Sequence, residues 1–345
     1  MDRFRFHHLA AIAAVLAFGV VVLGAFVRLS DAGLGCPDWP GCYGHITVPG
    51  GVSGTPAEYA RPLEPGKAWK EMIHRYFAGT LGLLIAGLGG WAWVRRRRYG
   101  EHAGLPLFLV ALVVFQALLG MWTVTWLLKP LVVTSHLLGG MTTLALLLWL
   151  TLRRGPWLPP AQEVPAFWRR AALAALLVVA VQIALGGWTS ANYAALACPD
   201  FPTCYQGQWW PPTDFREAFT LWHGLGINYE GGILTHPART AIHLTHRLGA
   251  VVTLLAVGAV VIGLLRRGRE TRVRRTAAVV GVLLLVQVAL GVGNVVLSLP
   301  LPVAVAHNGG AAALLLGLVA LNHVLRPRTE PVAAAELGTG GMETA

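Results

Sequence analysis

Eight stretches of this chain are apolar over close to the roughly 20 residues needed to cross a bilayer. They lie at about 9–27, 73–94, 105–128, 131–152, 170–190, 241–265, 274–298 and 302–325. In hydrocarbon the backbone must pair its own N–H and C=O groups, so uninterrupted runs of this length are read as helices. Charged residues make up 12% of the chain, about half the share usual in soluble proteins. The expected fold class is therefore all-α integral membrane, with eight transmembrane helices.

The net charge of +11, from 27 basic and 16 acidic residues, raises the question of a nucleic-acid partner. Its distribution argues against one. Basic clusters fall at Arg3 and Arg5, Arg95 to Arg98, Arg153 to Arg170, Arg266 to Arg275 and Arg326 to Arg328. These positions are the N-terminus and the ends of the second, fourth, sixth and eighth runs. That is the positive-inside pattern, with both termini cytoplasmic and anionic lipid as the partner of the basic surface. The first run is longer than the core of a signal peptide, and no small-residue cleavage site follows it closely. No Arg- and Ser-rich transit segment precedes it, which points to a bacterial cytoplasmic membrane.

The chain repeats itself. Gln116-Ala-Leu-Leu-Gly120 recurs as Gln287-Val-Ala-Leu-Gly291, and His136 as His307, both at an offset of 171. His74 recurs as His246 at 172, and Cys36-Pro-Asp-Trp-Pro-Gly-Cys42 as Cys198-Pro-Asp-Phe-Pro-Thr-Cys204 at 162. Each half has four runs, so both share one orientation. Two four-helix bundles related by a pseudo-two-fold along the membrane normal are expected. The boundaries are 1–155 and 156–328, followed by a small polar tail at 329–345 with a disordered composition. The long loops at about 28–72 and 191–240 are then external. Within the second, Trp209, Trp210, Phe215, Phe219 and Trp222 read as an interfacial aromatic stretch.

Ionisable residues at membrane depth are costly and point to function. His74 and His136, and their counterparts His246 and His307, sit near the outer ends of their runs at matching depths. Two facing helices of a four-helix bundle can present imidazoles to opposite faces of a haem. Zinc is the competing metal, but no His-Glu-x-x-His is present. Covalent haem attachment through Cys-x-x-Cys-His is likewise absent. Glu71 stands where the second half has His243, three residues before the repeated histidine and on the same helix face. It is read either as a proton acceptor beside the haem or as an interfacial acid paired with Arg75 or Lys70. Arg28, Arg75 and Arg247 are candidates for haem propionates, or for lipid phosphate. Most other histidines, His7, His8, His45, His102, His223, His236 and His323, read as solvated or interfacial. The cysteine pairs Cys36 with Cys42 and Cys198 with Cys204 lie in loops facing an oxidising compartment. They are read as staples, with a redox role as the alternative.

Val27-Arg28-Leu29-Ser30-Asp31-Ala32-Gly33-Leu34-Gly35-Cys36-Pro37-Asp38-Trp39-Pro40-Gly41-Cys42 resembles the first external loop of the haem A synthase family. Glu71-x-x-His74-Arg75, His136, Asn228-Tyr229-Glu230-Gly231-Gly232, His243-x-x-His246-Arg247 and His307 resemble its later motifs, so the likeness covers about 9–325. The resemblance implies oxidation of a ring methyl of haem O to a formyl group, through a hydroxymethyl intermediate, to give haem A for terminal oxidases. It implies a haem b cofactor between His246 and His307, the substrate haem at His74 and His136, and Glu71 as the catalytic acid. It further implies that haem O is delivered by a haem O synthase and that an electron partner, not identified by the sequence, takes part. Self-association into a homo-oligomer is left open. The rival readings are a di-haem b-type electron-transfer cytochrome that oxidises quinol, and a haem transporter.

Overall fold

The architecture follows from where proline and the polar turns punctuate the apolar runs. A computed structural model describes residues 2–50, 59, 61–99, 102–162 and 164–327. The proposed tail at 329–345 lies outside them. Among the described residues the elements are all helical: α1 (Asp2–Leu29), α2 (Pro65–Tyr99), α3 (Gly104–Thr125), α4 (Pro130–Arg154), α5 (Ala166–Ala191), α6 (Phe215–Ala218), α7 (His236–Arg267), α8 (Thr271–Val296) and α9 (Leu301–Val324). All but the four-residue α6 are long and apolar enough to cross a membrane. Proline in the first turn of α4, α7 and α9 starts those helices, since a missing N–H costs nothing there.

Two helices begin well ahead of their apolar runs on the side of the cysteine loops. α2 starts at Pro65 and α7 at His236, several residues ahead of the hydropathic boundary. The reason is physical: hydropathy locates where a helix meets lipid, while the helix itself continues through a polar turn. His74 and His246 consequently lie more than two turns inside their helices rather than at the entrances.

In the first half, α1 and α3 each pack on α2 and α4; in the second, α5 and α8 each pack on α7 and α9. Between the halves α1 meets α9, α4 meets α5, and α4 meets α9. Exchanging one half for the other leaves this pattern unchanged. The hairpins agree in detail. Leu127 and Leu128 between α3 and α4 are left-handed, and so are Ser298 and Leu299 between α8 and α9, again 171 residues on.

A stripe of small residues on α1 lets the helices approach closely. Ala10, Ala13, Ala14 and Ala17 recur at helical spacing and are buried. In a bilayer, where apolar burial gives little drive between helices, such close packing is a main source of association. These alanines join Leu81, Ile85, Leu88, Leu144, Leu147, Val257, Leu318 and Leu321 in a core that fills the half of the bundle remote from the cysteine loops. The half nearer the cysteines carries the cavity described below.

The offset between halves grows from 162 at the cysteines to 172 at the histidines, so the second loop carries ten extra residues. The segment following α6, residues 219–232, lies across the first half as a strap. Lys129 Nζ donates to the Gly224 carbonyl at 2.5 Å and sits 3.0 Å from the centre of the Trp222 ring. The Tyr229 amide donates to the Leu127 carbonyl at 3.0 Å. Its ring is buried against Leu34, Val124 and Leu128. Glu230 forms a bidentate ion pair with Arg61.

Candidate functional site

The first cysteine loop is clamped to α2 and the second to α7, by the residues that differ between the halves. Disulfides close Cys36–Cys42 and Cys198–Cys204. The Cys36 amide donates to Glu71 Oε2 at 3.0 Å, and the Cys198 amide to His243 Nδ1 at 3.2 Å. Glu71 and His243 are both buried, at 5% and 4% exposure. Of the two partners considered for Glu71, the structure pairs it with Arg75, at 2.6 Å. Gly35 is required where the first loop crosses α2, because a Cβ there would lie 2.6 Å from the Lys67 backbone carbon.

The arginines are engaged by the same loops. Arg75 donates to the carbonyls of Asp38, Pro40 and Gly41. Arg247 donates to those of Cys198, Asp200 and Thr203. Any contact of these two with a propionate would be shared with loop carbonyls. Arg28 differs: it reaches the other half, donating to the Ser190 carbonyl at 2.7 Å and lying 4.2 Å over the Tyr193 ring, while its Nε has no hydrogen-bond partner among the described residues. The interfacial reading of the other histidines needs correction at two places. His7 and His323 are buried at 4% and 0% exposure, packed by the tryptophans Trp157 and Trp149 respectively.

His74, His136, His246 and His307 all line one cavity of about 1860 Å³. That exceeds the ~300–1,000 Å³ of an ordinary small-molecule pocket. Each ring is only partly buried, and each lies against a glycine of a neighbouring helix. A Cβ at Gly24, Gly120, Gly186 or Gly291 would meet Cε1 of His74, His136, His246 or His307 at 3.0, 3.3, 3.1 and 3.1 Å. Among the described residues the buried Nδ1 of His74, His136 and His307 have no hydrogen-bond partner. Among the described residues no three His, Cys, Asp or Glu side chains gather into an ion-binding cage. The chain therefore offers its imidazoles in pairs, α2 with α4 and α7 with α9. Imidazoles in pairs, beside glycines that leave flat space and within a large apolar cavity, fit a haem in each half.

Glutamines stand one turn before three of these glycines. Gln116 Nε2 donates to the His136 carbonyl at 2.9 Å. Gln182 Nε2 donates to the His246 carbonyl at 3.0 Å and lies 3.1 Å from its Nδ1. Gln287 Nε2 lies 3.4 Å from His307 Nε2. Sequence reasoning found the Gln116 and Gln287 motifs as repeat landmarks but missed Gln182-Ile-Ala-Leu-Gly186 and Val20-Val-Val-Leu-Gly24. The signal was present: the same five-residue spacing, at an offset of 162, with valine in place of one glutamine.

The profile of the cytochrome oxidase assembly protein family matches residues 7–319. The chain is 45% identical to the haem A synthase of Shewanella oneidensis over 324 residues, 92% of this chain and 96% of that protein. The chain belongs to this family. It is also 29% identical to the haem A synthase of Rhizorhabdus wittichii, covering 90% of this chain and 91% of that protein. With the haem A synthase of Halalkalibacterium halodurans it shares 27% identity over 84% of this chain and 86% of that protein. Matches to the family thus run through both halves and take in both cysteine loops, both histidine pairs and the strap.

Proposed function

We propose that this membrane enzyme makes haem A by oxidising a ring methyl of haem O to a formyl group through a hydroxymethyl intermediate. The observation that carries the reading is the asymmetry between two otherwise matched sites. Both halves present a histidine pair against glycines, and only the first places a carboxylate, Glu71, beside its histidine. The first half, residues 1–155, is the substrate side, with His74 and His136 about the iron of haem O. The second, residues 156–328, holds haem b through His246 and His307. A pseudo-two-fold along the membrane normal relates them. When bound, haem supplies the electron-transfer chemistry that the side chains lack.

The chain's own residues bind, orient and accept protons. Glu71 is fixed by the Cys36 amide and by Arg75. Its carboxylate is thereby aimed from the same helix face as His74, where it can take a proton released as the methyl carbon loses electrons. With water supplying the formyl oxygen, the conversion releases four protons and four electrons, the electrons passing to an outside redox partner. The disulfides hold the loops that hold Glu71 and His243, so their geometry supports a stapling role. Arg28, with a donor to spare, is the favoured partner for a propionate, ahead of Arg75 and Arg247. We further propose a bacterial cytoplasmic membrane with both termini inside, lipid at the basic face, and haem O received from a haem O synthase. No observation favours the electron-transfer cytochrome.

The deciding experiment is mass identification of haems extracted from cells that make haem O together with this chain, compared with His74→Ala. Haem A or its hydroxymethyl precursor, present only with the intact chain, is the expected result. Haem b alone, near two per chain, would sink the reading.

A further inference from the structure

Three of the four histidines share one construction. The glutamine one turn before the facing glycine lies against a second glycine, three residues after the histidine. Gln116 lies against Gly139, Gln182 against Gly249 and Gln287 against Gly310, and a Cβ on any of the three would collide with the amide. A Gln-x-x-Leu-Gly or Gln-x-x-x-Gly helix thus crosses a His-x-x-Gly helix, and the amide is seated between them at the histidine backbone or ring.

The fourth crossing, α1 on α2, departs at both positions. Val20 stands where the glutamine would be, and Phe77 where the second glycine would be. Gly24 still faces the His74 ring, so the ring's own space is kept while the amide and its seat are both absent. Nδ1 of His74 lacks a hydrogen-bond partner among the described residues, as do those of His136 and His307; what sets His74 apart is that, among those residues, no glutamine amide reaches its backbone or ring as at His136, His246 and His307. The glutamine and its glycine seat are both replaced at the one crossing beside Glu71, which marks a site built differently. Removing a seated amide removes the hydrogen bonds that fix a helix segment and its side chain.

We infer that Val20 and Phe77 leave His74 the one repositionable histidine of the four, and that this releases the haem of the first half while Gln182 retains that of the second. This rests on the proposed function in taking both sites to hold haem. It adds which histidine yields, and which residues decide it. Gln116, Gln182 and Gln287 are positioning residues here, acting through the histidines they hold. The yielding ring shares a helix turn with Glu71, so the first haem comes and goes on the side where its oxidation takes place.

The test is haem exchange from the full-length protein in detergent. The chain is loaded with iron protoporphyrin IX and mixed with excess apomyoglobin, and transfer is followed by absorbance. Single-site loading of His74→Ala and His246→Ala assigns the phases. The expected result is one fast phase from the first half and one slow phase from the second. Val20→Gln combined with Phe77→Gly should slow the fast phase about 3- to 10-fold, the worth of a net hydrogen bond. Gln182→Val should speed the slow phase by a similar factor. The same variants should shift the proportion of low-spin, two-histidine haem in the electron paramagnetic resonance spectrum. If the double variant does not load, Gln182→Val decides alone. Equal exchange from both halves, or rates unmoved by the substitutions, overturns the inference. Haem A yield in cells is scored separately. Haem A with equal exchange rates defeats this inference only, whereas asymmetric exchange without haem A defeats the enzymatic reading and leaves the asymmetry standing.

Discussion

At the scale of single residues, the exchange of Glu71 for His243 separates a structural task from the chemical one proposed for Glu71. Both side chains accept the amide of the first cysteine in their loop. An acceptor is all the loop needs, and an imidazole supplies it. Glu71→His should therefore fold, close its disulfide and keep the haem proposed for the second half. It should lose haem A formation by about 10²-fold or more, the usual worth of a positioned acid–base group. Haem mass analysis, beside the haem b absorbance band of the same preparation, checks both halves of that statement. A variant that kept its output would remove Glu71 from the chemistry. The importance of this position was legible in the sequence because duplication lined it up with its counterpart. The glycines under the histidines were not. Glycine is frequent in membrane helices, and only the packing showed that Gly24, Gly120, Gly186 and Gly291 each make room for a ring. The loop duties of Arg75 and Arg247 were equally invisible, since nothing in a sequence says which carbonyls will fold back onto a guanidinium.

At the scale of elements, the eight helices were readable from apolar length, and their polar extensions were not. The strap was half readable. The ten extra residues could be counted, but their resting place on the opposite half depends on contacts about 170 residues apart, between Arg61 and Glu230. The hydrogen bonds from Arg61 hold the Glu230 carboxyl below its ordinary value. A depressed carboxyl contributes its full stabilisation above its unfolded value, about 4.3, and loses it as pH falls through the lower folded value. The strap should thus stay docked between pH 7 and 5 and loosen below about pH 4. Glu230→Gln should be loose already at neutral pH and show no such transition. Limited proteolysis or amide exchange across 219–232, followed against pH, reads this directly. A strap equally protected in the variant at pH 7 would show that Lys129 and Tyr229 hold it unaided.

At the scale of the whole molecule, charge distribution predicts sidedness and the repeat predicts arrangement. With both termini on the basic side, a phosphatase fused after residue 327 should be inactive and one inserted near residue 207 active in a bacterial host. The reverse pattern would overturn the orientation. The symmetry of packing was anticipated by four landmarks in constant order, because copies of one sequence bury their apolar faces alike. The places where the halves join through polar contacts, such as Arg28 on Ser190 and the strap on α3 and α4, lie outside that symmetry and had to be seen.

The strap also imposes an order on the birth of the molecule. A chain is made from its N-terminus at roughly 5–20 residues per second, and Glu230 follows Arg61 by 169 positions. For roughly 10–30 s the first bundle stands in the bilayer with its rim open, and it is finished only when its younger sibling reaches back to cover it. The half proposed to take the substrate is thus the first to be synthesised and among the last to be completed.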